Sequence, residues 1–206
     1  MQVTIDGPAG VGKTSVGEKV ADRFSLLFIQ SGQLYRALAY GKLNQMDYSS
    51  LALNLVGDSN LELTIEGKDI TEKLTSEEIA EEASKLARKK EIRALVNDRI
   101  SRFARDQDVL VEGRDIGTEV LPDAEVKIFL TASAKERAKR RKKQLQIDRP
   151  LKDIENGIKK RDERDQNREI SPLKPAEDAV ILNTTSLDEG KVVERVAGLI
   201  ADYLKD

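Results

Sequence analysis

No cysteine and no histidine occur anywhere in this sequence. Without cysteine there is no disulfide framework and no thiolate metal site. Without histidine the commonest general base and the commonest metal ligand are missing. Tryptophan is absent too, and aromatics make up only 4% of the residues. Charge of one sign is also lacking: 35 Lys and Arg face 37 Asp and Glu, a formal net charge of −2. A chain that is no polycation is not expected to partner nucleic acid. No apolar run approaches the length of a membrane span. The first apolar run begins at Gln2, which leaves no room for a signal peptide. The sequence therefore predicts a soluble cytoplasmic protein with no membrane partner. Its 206 residues suffice for one core with a small appended lobe.

What is present starts at Gly7-Pro8-Ala9-Gly10-Val11-Gly12-Lys13-Thr14. This is a glycine, four residues, then Gly-Lys-Thr, the phosphate-binding loop pattern. The apolar run Gln2–Asp6 before it reads as a strand. Val16, Val20 and Phe24 after it recur at helical spacing. Glycines let consecutive backbone N–H groups turn inward as an anion nest. The following helix aims its positive end at the same point. Lys13 adds a full charge within reach of the β and γ phosphates, and the Thr14 hydroxyl is placed to ligate Mg²⁺. The loop predicts a nucleoside triphosphate but not what receives the phosphate.

Further along, strands are expected at 26–29, 109–112, 126–130 and 179–182, alternating with helices. That order predicts a parallel sheet covered on both faces. A helix is expected from about Gln33 with Ser31 as its N-cap. The alternation at 61–65 reads as a half-exposed strand, returning over 70–74. One helical pattern runs from about Ser76 to Ala104. A basic helix spans 133–146, Ile147 opens a break, and a polar helix with few apolar anchors follows over 151–168. Arg161, Asp165 and Arg168 share a stripe on it, as a mobile lid over charged ligands requires. Arg36 is either a solvated helix charge or a phosphate ligand. Glu112 is either a buried paired carboxylate or a positioner of Mg²⁺ or its water. Most of the basic helix reads as solvated, though Arg137 and Arg141 share a face.

An alcohol acceptor would need a general base beside it. Strand ends and lid instead present Arg36, Arg114, Arg137, Arg141, Arg161 and Arg168. An acceptor that is already a phosphate needs charge cancellation, which arginine supplies with planar bidentate bonds. The pattern favours a nucleoside monophosphate kinase over a sugar or shikimate-type kinase. A GTPase-type switch would need an Asn/Thr-Lys-x-Asp motif and an Asp-x-x-Gly after its acidic strand, and neither is found. A kinase of the same fold acting on UMP or a small alcohol remains the nearer alternative.

These blocks resemble the bacterial cytidylate kinase family across nearly the whole chain. The match lies in Ile5-Asp6-Gly7-Pro8, Ser31-Gly32 with Leu34-Tyr35-Arg36-Ala37, Glu112-Gly113-Arg114-Asp115-Ile116-Gly117-Thr118, and Arg161-Asp162-Glu163-Arg164-Asp165-Gln166-Asn167-Arg168. Gln30 stands where the family usually has an acidic residue, and Glu112 where it has Asp. The resemblance implies an α/β P-loop NTPase-like three-layer fold with a five-stranded parallel sheet. The core would cover about 1–48, 85–146 and 171–206, an acceptor-binding lobe 49–84, and a mobile lid 147–170. ATP would be held by Gly7, Pro8, Ala9, Gly10, Val11, Gly12, Lys13, Thr14 and Ser15, with Mg²⁺ on Thr14. Ser31, Arg36 and Arg114 would hold the acceptor phosphate of CMP or dCMP. Ser84, Arg93 and Asp115 would read cytosine, and Arg161 and Asp165 would hold the ribose. Lys13, Arg114, Arg168, Arg137 and Arg141 would be catalytic. A monomer is expected.

Overall fold

The computed structural model describes residues 1–57, 60–146 and 148–205. Ile147, which opens the expected break, and residues 58, 59 and 206 of the expected lobe and core lie outside the described residues, while 148–150 are non-helical as the break requires. In chain order the elements are β1 (Gln2–Asp6), α1 (Lys13–Phe24), β2 (Leu27–Gln30), α2 (Ser31–Leu43), β3 (Ala52–Val56), β4 (Asn60–Ile65), β5 (Lys68–Asp69) and α3 (Glu77–Leu86). They continue with α4 (Lys90–Ala104), β6 (Val109–Gly113), β7 (Val126–Thr131), α5 (Ala134–Leu145), α6 (Leu151–Gln166), β8 (Val180–Asn183) and α7 (Glu189–Tyr203).

The main sheet is parallel, in the order β2-β6-β1-β7-β8. Period-two alternation splits its side chains between two cores. Val109 and Val111 face α2 and α4, whereas Leu110 joins Val3, Ile5 and Ile128 beneath α1 and α7. The result is the three-layer sandwich that the sequence predicts. The chain leaves β1 toward β2 on one side and later places β7 on the other. The carboxyl end of β1 is thus a topological switch point, where open α/β sheets bind ligands.

A second sheet, β3-β4-β5, is antiparallel. Its Leu63 and Ile65 share one core with Leu34, Leu38 and Ile100, so this lobe leans on the main body and has no separate core. The expected strand over 70–74 is absent. Asp69 Oδ1 accepts from both the amide and the hydroxyl of Thr71, which turns the backbone into a 3-10 turn over Thr71–Lys73. The return strand is the two-residue β5, which ends before Ile70, and β4 also pairs on its other side with β3, for which the sequence predicts no strand. The long helical pattern ending at Ala104 is two helices, and Ser76 caps the first by accepting from the Ile79 amide. Nor is Ser31 an N-cap. It is the first residue of α2, buried, with its hydroxyl toward Gly113, where a Cβ would stand 2.7 Å away. Finally, α6 is anchored better than expected: Ile154 and Ile158, one turn apart, bury themselves against Ala138 of α5.

Candidate active site

The strand ends, α3, α5 and α6 enclose a cleft of about 1810 Å³. Ordinary ligand pockets run to about 300–1,000 Å³, so this one has room for two nucleotides. The loop after β1 forms its floor. Gly7 has φ +149°, and a Cβ there would stand 2.2 Å from the Leu130 carbonyl oxygen. Only glycine lets the loop pass so close to β7. Lys13 opens α1 and is buried. Its Nζ donates to the carbonyls of Gly7 (2.9 Å) and Pro8 (3.1 Å). Burial, then the Arg114 charge, pushes its pKa down to about 7. The ammonium is therefore poorly compensated until an anion arrives.

Beside it the Thr14 hydroxyl donates to Glu112 Oε1 at 2.7 Å. Glu112 is buried, and its Oε2 has no partner among the described residues. An orphaned carboxylate oxygen next to a phosphate nest fits a divalent cation. Among the described residues no group of three or more Asp or Glu could cage a metal, so phosphate oxygens would supply most of its ligands.

The turn after β6 is held from below. Asp6 Oδ1 accepts from the Ile116 amide (3.0 Å) and Oδ2 from the Gly117 amide (2.8 Å). Burial outweighs those two bonds and pushes the Asp6 carboxyl up to about 6. The segment Ile116–Val120 is one π-helical turn, whose start fixes Asp115 at the cleft wall. Asp115 Oδ2 accepts from Arg93 Nη2, and both side chains are buried. Arg93 also donates to the Ala87 carbonyl (3.2 Å) and lies 5.8 Å from the Tyr35 ring centroid. Ser84 is exposed on α3 and lines the same wall.

Arginines populate the rest of the cleft. Arg36 donates to the Leu74 carbonyl at 2.7 Å, and Arg114 Nε donates to Asp165 Oδ2 at 3.2 Å. Arg141, Arg161 and Arg168 also line it, and Arg168 Nη2 is buried without a partner among the described residues. Desolvation lowers the pKa of both Arg161 and Arg168. For Arg161 the next cause is the like charge of Arg114. A concave cluster of cations that repel one another is an anion site.

The sequence matches the family model described as cytidylate kinase over residues 3–202. The chain belongs to the cytidylate kinase family. A curated cytidylate kinase from Alkaliphilus oremlandii is 40% identical over 213 residues, covering 97% of each chain. One from Lactobacillus gasseri is 42% identical over 221 residues, covering 100% of this chain and 96% of its own. Among solved structures, a gluconokinase from Sinorhizobium meliloti superposes with a TM-score of 0.54 at 15% identity, covering 98% of this chain and 91% of its own. A shikimate kinase from Bacteroides thetaiotaomicron gives 0.52 at 14%, covering 98% of each. At such identities these two share the fold with this member of the cytidylate kinase family and nothing more.

Of the residues the sequence singled out, the cleft gathers Ala9 through Ser15, Ser31, Arg36, Ser84, Arg93, Arg114, Asp115, Arg141, Arg161, Asp165 and Arg168. Gly7, Pro8 and Arg137 stand outside the lining, Gly7 and Pro8 turning their carbonyls to Lys13 Nζ. Arg137 is buried, with its donors on Ala132, Ala9 and Asp162. Helical spacing put it on one face with Arg141, but α6 covers its part of that face. Arg140, which the sequence did not single out, lines the cleft instead. It donates to the carbonyls of Val11 (3.2 Å) and Thr184 (2.6 Å). Nothing in the run of basic residues on α5 distinguishes it. Asp6 could have been found: a carboxylate closing an apolar strand needs buried partners.

Proposed function

We propose that this protein transfers the γ-phosphoryl group of ATP in line to CMP and dCMP, giving ADP with CDP or dCDP. The observation that carries the reading is one cleft with a phosphate nest at one end and an arginine-lined wall, ending in a buried Asp115–Arg93 pair, at the other. The family supports the same reading.

In this reading the loop amides and Lys13 hold the ATP phosphates, and Ser31, Arg36 and Arg114 hold the acceptor phosphate. Arg168, with Arg141, faces the transferring group, and Arg161 and Asp165 hold the ribose. An acceptor phosphate is already ionised, so the absence of histidine costs nothing. What lowers the barrier is cancellation of charge between two polyanions brought into line. Mg²⁺, when bound, would neutralise the β and γ oxygens of ATP, with Thr14 and Glu112 as the residues that fit it. Ser84, Arg93 and Asp115 face the base from α3, α4 and the turn after β6. The segments 49–84 and 147–170 act as acceptor lobe and lid. The enzyme works as a cytoplasmic monomer, and among the described residues no helix is long and apolar enough to cross a membrane.

A thermal-shift panel tests the reading, because a ligand that binds only the native state raises its stability. CMP and dCMP should raise Tm well beyond UMP, AMP, gluconate or shikimate at equal concentration. A larger shift with UMP or either small alcohol would replace the proposed acceptor.

A further inference from the structure

Two carboxylates on α6 hold two arginines, one buried behind the phosphate loop and one in the cleft. Asp162 and Asp165 are three residues apart and so share a face of that helix. Asp162 receives a two-pronged bond from Arg137: Nη1 to Oδ1 at 3.0 Å and Nη2 to Oδ2 at 2.5 Å. Arg137 spends its other donors on the Ala132 carbonyl at the end of β7 (2.9 Å) and the Ala9 carbonyl of the phosphate loop (3.0 Å). Gly10 rests on the same residue, since a Cβ there would stand 3.6 Å from Arg137 Cβ. The Arg137 and Asp162 side chains are 6% and 14% exposed. Asp165, by contrast, receives a single 3.2 Å bond from Arg114, with side-chain exposures of 21% for the arginine and 19% for the aspartate. Arg114 lines the cleft, whereas Arg137 does not.

The two contacts therefore differ in kind. A bidentate pair whose arginine is buried keeps its geometry, and a lone, longer, wetter bond exchanges partners. We propose that Arg137–Asp162 is a fixed pivot joining α6 to the phosphate loop, and that Arg114–Asp165 is the exchangeable contact an acceptor phosphate releases. The proposal rests on the nucleotide kinase reading above. A phosphate dianion offers Arg114 a stronger partner than one carboxylate oxygen. Asp165 is then freed, and α6 turns about Asp162, carrying Arg161 with it. Because Arg137 also grips the Ala9 carbonyl, filling the donor loop sets the position of that pivot. Arg137 and Asp162 are thus positioning residues that couple the two nucleotide sites.

The test uses the full chain. Asp162→Asn keeps the shape but turns an amide toward the guanidinium fork. Circular dichroism melting establishes folding, and calorimetry measures CMP affinity with and without a non-hydrolysable ATP analogue and Mg²⁺. CMP affinity with the donor site empty should stay within about twofold of wild type. The strengthening of CMP binding by the analogue should fall at least fivefold, and kcat at least tenfold. Asp162→Glu should restore part of both. Arg137→Lys, which keeps the charge but not the fork, should show the same split and carries the test if Asp162→Asn does not fold. A folded Asp162→Asn with coupling and kcat within twofold of wild type overturns the pivot. So does a wild-type enzyme whose CMP affinity ignores the analogue, or an equal loss of CMP affinity with and without it. Failure of the wild type to phosphorylate CMP at all would overturn the functional reading as well, and is seen separately in the turnover control.

Discussion

Lys13 is the residue on which the donor site depends. With Nζ tied to its own loop, and burial and Arg114 outweighing the charges of Glu112 and Asp6, the ammonium is poised for a ligand that supplies a further anion. Lys13→Ala should fold and lose nearly all turnover, because a bond to a charged group is worth about 1.5–3 kcal/mol before any transition-state effect. Near wild-type turnover in a folded variant would refute the assignment. Its lowered pKa also has a sign. Between the folded value of about 7 and the ordinary 10.5, the unfolded state binds more protons, so this residue makes stability rise with pH across that window. ATP prefers the ammonium form, so its binding should take up a proton and weaken as pH rises through about 7 and beyond. Calorimetry at pH 8 in buffers of different ionisation enthalpy reads that uptake directly. At the other end, Asp115 Oδ2 is occupied by Arg93 and Oδ1 makes no hydrogen bond among the described residues, which leaves an acceptor for an amino group. Cytosine presents N4 as a donor where uracil presents an acceptor. Asp115→Asn can turn either group to the base, so it should narrow the CMP/UMP ratio chiefly by losing CMP efficiency. An unchanged ratio, with stability measured alongside, would leave Asp115 a purely structural partner of Arg93. The phosphate loop and the arginines were legible because their chemistry is written in residue type and spacing. The burial of Arg137 and the cleft position of Arg140 were not, because helical periodicity gives a face and says nothing of what packs on it.

Among the elements, most of the sheet was legible because its strands are continuous apolar runs, buried throughout in β6, although the edge strand β8 leaves Val180 and Ile181 exposed. What escaped were features decided by one side chain. The turn at Asp69–Thr71 replaced a strand with a 3-10 turn, and β3, with exposed Leu55 and Val56, lacks a clean alternation. Helix α6 shows the limit in the other direction. A sequence so rich in charge reads as unanchored, yet two isoleucines one turn apart seat it on α5. Ile158→Ala should cost about 2–4 kcal/mol of local stability, the range for truncating a buried aliphatic side chain. The loss should appear as faster amide hydrogen exchange in α6, while β1 and β6 exchange as before. Uniform acceleration through the main sheet would mean that α6 belongs to the global cooperative unit and does not open separately.

The whole molecule sets the phosphate loop after β1 and the Asp115–Arg93 pair at the turn after β6 on one cleft across a single switch point. Its central claim is that this cleft passes phosphate to a cytidine monophosphate. Divalent cation should be required throughout, since the orphaned Glu112 oxygen and the Thr14 hydroxyl otherwise have nothing to position. Full activity in excess chelator would remove Mg²⁺ from the account. The most direct measurement is a coupled ADP-release assay with CMP, dCMP, UMP and AMP side by side, at saturating ATP and Mg²⁺. CMP and dCMP should turn over with kcat/KM at least tenfold above UMP, a difference of about 1.4 kcal/mol or more, and AMP should turn over little. Equal efficiency with UMP, or ADP release that ignores the cytidine nucleotides, would contradict the central claim.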